Sequence, residues 1–171
     1  MRKEMVVLRH STKDMVLTGM GIALVFVATL FINLRLPIGQ GGLIHLGNVP
    51  LFLFAIIYGK KIGAMAGAFG MGLFDLMGGW TPWAPATFII VGLMGYTVGV
   101  IAEKKDDLTG YTLAIILACA IKVAGYYVAE ALIYGNWVQP VLSIPGNLMQ
   151  SGVAALIVLP MAGTLKKALK R

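Results

Sequence analysis

The chain alternates between long apolar runs and short breaks of charge or of proline and glycine. A helix needs about 20 predominantly apolar residues to cross a bilayer. On that pattern helix 1 is expected over Met15–Leu34, a short helix 2 over Asn48–Tyr58 and helix 3 over Ile62–Met77. Helix 4 follows over Ala86–Ala102, helix 5 over Tyr111–Tyr134, and helix 6 from about Pro145 to Leu159. The breaks read as loops. "LPIGQGGLIHLG" carries Pro37 and a run of glycines, Lys60 and Lys61 mark a turn, and "GGWTPWAP", "EKKDDLTG" and "GNWVQPVLSIP" separate the later helices. Pro160 is expected to kink the chain before the basic tail "KKALKR". The expectation is an all-α integral membrane protein with six transmembrane helices.

Composition sharpens this. Of 171 residues, 58% are hydrophobic and only 12% charged, against about a quarter charged in soluble domains. The mean hydropathy is +0.85. The length suits a single transmembrane domain over residues 1–171. A net charge of +7 would suggest nucleic acid in a soluble protein, but here the basic residues flank apolar segments, and no nucleic-acid partner is expected. Arg2, Lys3, Arg9 and Lys13 precede helix 1, Lys60 and Lys61 follow helix 2, Lys104 and Lys105 follow helix 4, and Lys166, Lys167, Lys170 and Arg171 close the chain. With six spans these all fall on one side, which the positive-inside rule makes cytoplasmic, together with both termini. Five spans would scatter them. Only Arg35 belongs to the other side, and Lys122 lies within a span. The first apolar run is too long for a signal peptide and has no small-residue cleavage site after it, so it reads as a retained helix. Cys119 is the only cysteine, which excludes an intrachain disulfide.

That layout collects the unusual polar and aromatic residues in the outer half. Ionisable residues inside a span are costly and usually face an interior or a water-filled cavity. Asp75, near the end of helix 3, reads as a ligand acceptor or as a helix-end carboxylate reaching interfacial water. Lys122, Tyr126 and Glu130 stand at i, i+4 and i+8, on one face of helix 5. Lys122 reads mainly as a structural ion-pair partner for Asp75 or Glu130, otherwise as a direct ligand contact. Trp80 and Trp83 flank a tight turn beside Asp75 and suit a stacking wall for a flat ligand, while Trp137 fits an interfacial belt. His45, in a glycine-rich loop, is structural or ligand-facing. Asn48 caps helix 2 or donates to ligand, and Asn147 has the same two readings. Small residues four apart, Gly63/Gly67 in helix 3 and Gly95/Gly99 in helix 4, let helices approach closely in lipid. Gly19 and Ala23 give helix 1 a similar face, open to internal packing or to docking of another membrane subunit.

The chain contains no phosphate-binding loop, no zinc-protease helix motif, no nucleophile elbow and no acidic cluster for magnesium. No metal and no cofactor are therefore expected.

The stretch "HLGNVPLFLFAIIYGKKIGAMAGAFGMGLFDLMGGWTPWAPATFII", His45–Ile90, resembles the substrate-binding S components of energy-coupling factor (ECF) vitamin transporters, most nearly those for hydroxymethylpyrimidine or vitamin B6. Its L-G-N-x-P start, G-x-x-x-G run and F-D-x-x-x-G-W turn carry the likeness together. The resemblance implies a multi-pass subunit of a bacterial cell membrane that binds a small B-vitamin or precursor from outside. It implies docking through helix 1 onto a transmembrane coupling subunit driven by two cytoplasmic ATPases, and release inside after toppling. Gly19 and Ala23 match the A-x-x-x-A-like docking motif of such proteins only loosely. The alternatives are an S component for another vitamin (riboflavin, pantothenate, thiamin or folate), a small membrane enzyme using Asp75 and Glu130 as an acid–base pair, and an assembly subunit without ligand.

Overall fold

The computed structural model describes residues 2–31, 33–35 and 43–169, with side chains over 12–31, 33 and 45–169. The glycine-rich part of the first expected loop, residues 36–42, lies outside the described residues, as do the side chains of Arg2, Lys3, Arg9 and Arg35 and the residues Lys170 and Arg171.

Among the described residues six α-helices carry the fold: α1 (Arg2–Phe31), α2 (Asn48–Tyr58), α3 (Lys60–Met77), α4 (Ala84–Lys104), α5 (Leu108–Tyr134) and α6 (Ile144–Leu169). Four segments, Thr12–Phe31, Ala84–Lys104, Leu108–Tyr134 and Gln139–Leu169, are long and apolar enough to cross a membrane. α3 has 18 residues with two lysines at one end and Asp75 near the other. α2, with 11 residues, rises only about 16 Å at 1.5 Å per residue.

The ends of the helices differ from the sequence expectation for local reasons. Helix 1 was expected to reach Leu34 but stops at Phe31, because the Asn33 amide folds back and donates to the carbonyls of Leu30 (2.6 Å) and Thr29 (3.2 Å). Asn33–Arg35, begun inside the expected helix 1, pairs as strand β1 antiparallel to β2 (Leu43–His45), which falls in the expected loop. Lys60 and Lys61 form the first turn of α3 rather than a turn of their own. Gly59, at φ +93°, makes the reversal. Glu103 of α4 then caps α3, accepting from the Lys60 backbone N–H at 3.0 Å and from its ammonium at 2.8 Å. α5 begins at Leu108 rather than Tyr111 because Asp107 caps it, its Oδ1 accepting from the Gly110 N–H at 2.6 Å. The expected loop before helix 6 contains a 3-10 turn, Gln139–Ser143, and Pro145 falls in the first turn of α6. α6 runs on through Pro160 to Leu169, so the basic tail is largely helical.

α2 is the innermost element. Leu51, Phe52 and Ala55 are fully enclosed, and Val25, Ala66, Val91, Met94, Val98, Ala114, Ala118, Ala154 and Val158 complete the core around them. The prevalence of alanine and valine fits close helix approach in lipid. At the α3–α4 seam a Cβ on Gly63 would sit 2.5 Å from that of Ala55 and 2.9 Å from the Gly95 carbonyl oxygen, so both glycines are needed for the contact. Large apolar side chains such as Phe31, Met77, Ile89, Leu132 and Leu156 point outward, as expected of a lipid-facing surface.

Both ends of the bundle carry polar contacts. At the lysine-rich end, Lys60 pairs with Glu103 and Lys166 with Asp106 (2.7 Å), while Tyr111 donates to the same aspartate. At the other end lie the β-hairpin, the tryptophan turn between α3 and α4, and the 3-10 turn.

Candidate ligand-binding site

At that second end His45, Asp75, Trp80, Trp83, Lys122, Tyr126, Glu130, Asn147 and Gln150 line one cavity. It leaves about 60 Å³ for the centres of water-sized atoms. Three pieces of local structure aim these residues inward. The chain after α3 turns at Gly78–Gly79, and the Trp80 N–H donates to the carbonyl of Asp75 at 2.9 Å. The Trp83 N–H in turn donates to the Trp80 carbonyl, also at 2.9 Å, so both indoles are tied beside the carboxylate. Their rings meet edge-on, with centroids 5.5 Å apart and planes 78° apart, and Tyr134 packs edge-on against Trp83 at 5.9 Å. On α5 the i, i+4, i+8 face brings Lys122, Tyr126 and Glu130 to the same wall. On α6 Asn147 and Gln150 stand three apart at the opening turn.

Each buried charge has a partner, though not the expected one. The Thr87 hydroxyl donates to Asp75 Oδ2 at 2.5 Å and lies 3.0 Å from the Tyr126 hydroxyl, linking α3, α4 and α5. Lys122, only 2% exposed, was expected to pair with Asp75 or Glu130. Instead its ammonium donates to Gln150 Oε1 at 2.7 Å, across to α6. An amide dipole satisfies part of the charge, and the ammonium also lies 6.0 Å from the centroid of the Tyr126 ring. Glu130 Oε2 accepts from Ser143 at 2.6 Å, and Trp83 lies beside the same carboxylate. Glu130 thus joins α5 to the turn before α6.

His45 stands at the end of β2. Its Nδ1 accepts from the Gly47 N–H at 3.2 Å. Burial, reinforced by the nearby Lys122 charge, holds the imidazole well below its usual value of 6.5 and keeps it neutral. Asn48 departs from both of its expected roles. Gly47 occupies the cap position of α2, and Asn48 makes no capping bond. Its side chain is fully enclosed, lies outside the cavity lining, and has no hydrogen-bond partner among the described residues. Trp137 is 57% exposed and away from the cavity, its carbonyl accepting from the Tyr127 hydroxyl at 2.8 Å. Gly19 and Ala23 both lie on the exposed side of α1, far from the site, with nothing within 4 Å of a Cβ placed on Gly19.

Sequence reasoning missed Thr87, Ser143 and Gln150. The last had a signal: Asn147, Gln150 and Ser151 form a polar stripe at i, i+3, i+4 on an otherwise apolar helix. Among the described residues no group of three or more histidine, cysteine, aspartate or glutamate side chains could hold a metal ion.

Comparison with known proteins gives the arrangement a context. A Lactococcus lactis thiamine precursor transporter, HmpT, is 28% identical over 138 residues, covering 81% of this chain and 78% of that one. A Streptococcus agalactiae protein of the UPF0397 group is 29% identical over 164 residues, covering 91% and 88%. A Pyrococcus woesei protein without assigned function is 30% identical over 111 residues, covering 65% and 74%. In fold, the chain is similar to a solved S component of a bacterial ECF transporter, with a TM-score of 0.74 at 19% identity over 94% of this chain and 99% of that one. The family model for the S component of ECF-type riboflavin transporters matches residues 9–167, nearly the whole chain. The six-helix membrane protein with a cavity at one end therefore belongs to the ECF-type riboflavin transporter S-component family.

Proposed function

We propose that the cavity receives a single-ring B-vitamin or precursor, of the hydroxymethylpyrimidine or pyridoxine type, captured from outside for ATP-driven uptake. The observation that carries this reading is a small polar cavity walled by two indoles at the end of the bundle opposite the lysine clusters. Its 60 Å³ of centre space corresponds to about four to six waters, room for one ring with small substituents. The name of the HmpT relative points the same way.

In this reading the whole chain is one transmembrane domain of six spans with both termini cytoplasmic, and the cavity opens outward. Asp75, Lys122, Asn147 and His45 supply polar contacts, and Trp80, Trp83 and Tyr126 supply the flat walls. The energy comes from partners, a transmembrane coupling subunit and two cytoplasmic ATPases, since this chain has no phosphate loop. The membrane-enzyme alternative falls with the family, whose members are transporter subunits. Glu130 is moreover already committed to Ser143.

The test is calorimetric titration of the detergent-purified protein with hydroxymethylpyrimidine, pyridoxine, thiamin and riboflavin. A single-ring compound is expected to bind without being turned over, and riboflavin is expected not to compete. Tight riboflavin binding, which the family's name would suggest, overturns the single-ring reading.

A further inference from the structure

The Gly47 N–H can only donate, so the Nδ1 that receives it at 3.2 Å carries a lone pair. A neutral imidazole with a free Nδ1 holds its proton on Nε2. A doubly protonated ring would set two N–H groups against each other, and the Lys122 ammonium across the cavity opposes that form too. The backbone that imposes this tautomer cannot easily move. A Cβ on Gly47 would strike the Thr29 hydroxyl and come within 2.9 Å of the Met71 methyl, so residue 47 is glycine and the loop is pressed onto α1 and α3. His45 therefore lines the cavity with a ring whose one remaining polar group is a donor-only Nε2–H, with no acceptor among the described residues.

We infer that His45, through this Nε2–H, reads an aromatic ring nitrogen on the ligand. This rests on the single-ring reading above and adds what distinguishes the ring. A ring nitrogen is an acceptor whose lone pair lies in the ring plane, so it meets a donor at the rim of a slot whose faces are aromatic. A C–H at the same place would leave the N–H buried and unpaired, which is the condition under which a site rejects an analogue strongly. A ligand hydroxyl could meet Lys122 as acceptor or Asp75 as donor, but His45, its Nδ1 already taken by Gly47, has only a donor left to offer. His45 is thus a specificity-determining residue for heteroaromatic over carbocyclic ligands.

The experiment compares 4-amino-5-hydroxymethyl-2-methylpyrimidine with 2-amino-4-methylbenzyl alcohol, which has the same substituents on a benzene ring. Pyridoxine and its benzene counterpart are measured alongside, by calorimetry on the full chain in detergent. The wild type is expected to prefer the heterocycle by about tenfold to a hundredfold. His45→Leu should reduce that preference to within about threefold, and His45→Gln, whose amide can still donate near the Nε2 position, should restore most of it. Equal binding of the two rings by wild type needs no variant and overturns the role of His45 while leaving the single-ring reading in place. So does an unchanged preference in a monodisperse His45→Leu protein or, should that variant aggregate, in His45→Ala. Failure of wild type to bind either heterocycle overturns the single-ring reading and this inference with it.

Discussion

At the scale of single residues, the cavity's chemistry turns on which buried groups are already satisfied. Asp75 spends Oδ2 on Thr87, which leaves Oδ1 without a partner among the described residues. Glu130 is held by Ser143, so it reads as a group that positions the turn before α6 against α5. Asp75→Asn keeps the shape and its carbonyl oxygen can still accept from Thr87, but an amide NH2 donor then stands where the free, charged carboxylate oxygen was. A hydrogen bond to a charged group is worth about 1.5–3 kcal/mol, so the dissociation constant for the single-ring ligand should rise about tenfold to a hundredfold. Titration of the purified variant measures it, and wild-type affinity would place the ligand elsewhere. How much of this was legible follows from the same residues. Asp75, Lys122 and Glu130 announce themselves because charge within an apolar run is conspicuous, and helical periodicity puts Lys122, Tyr126 and Glu130 on one face. Their partners announce themselves less. Threonine and serine do not stand out in an apolar helix, the polar stripe that holds Gln150 does not say what it bonds, and the pairings span sequence separations of 12, 13 and 28 residues that no local period encodes. That is why Lys122 reads from sequence as an ion-pair partner when its bond is to an amide.

At the scale of elements, hydropathy finds the helices because lipid admits few alternatives for the backbone, and the Asn48–Tyr58 limits of α2 match the sequence expectation residue for residue. The ends it misses are set by side chains acting across the chain: Asn33 folding back on α1, and Glu103 capping α3 from 43 residues away. The glycine spacing in helices 3 and 4 was legible as a packing signal, and its use is specific. Gly63 abuts Ala55 of α2 and the Gly95 backbone of α4 at once, so it is the point where three helices meet. Gly63→Leu should lower the thermal midpoint of the detergent-purified protein by several degrees, in line with an overpacking cost of about 1–3 kcal/mol. Gly152 of α6 is exposed, with nothing within 4 Å of an added Cβ. Gly152→Leu should therefore leave the midpoint within about a degree of wild type, since surface changes are usually worth under 0.5 kcal/mol. Equal losses in the two variants would show that any added bulk harms the helices, irrespective of the seam.

At the scale of the whole molecule, the fold keeps ligand chemistry and its outer membrane face apart. The cavity lies at one end, lined from β2, α3, the tryptophan turn, α5 and α6. α1 packs by its inward side, where a Cβ on Gly21 would come within 2.8 Å of Phe54 and one on Gly70 of α3 within 2.6 Å of Val25. Its other side presents Val16, Gly19, Met20, Ala23, Leu24 and Val27, all exposed. The small pair Gly19/Ala23 thus belongs to the open face, and Gly21 to the packed one. Lipid alone needs no small residues on a helix face, whereas close helix–helix approach does. Ala23→Trp places a large ring on that open face without touching the core or the cavity. The variant should keep its affinity for ligand in detergent and its thermal midpoint, yet lose uptake in cells that supply the coupling subunit and ATPases. Ala23→Ser, small and still able to pack closely, should retain most uptake and separates bulk from a mere change of residue. Binding and transport are measured on the same variants, by calorimetry and by accumulation of labelled vitamin precursor. Parallel loss of binding and uptake in Ala23→Trp would mean that α1 supports the cavity's fold, and uptake at the wild-type rate would free this face from any role in docking.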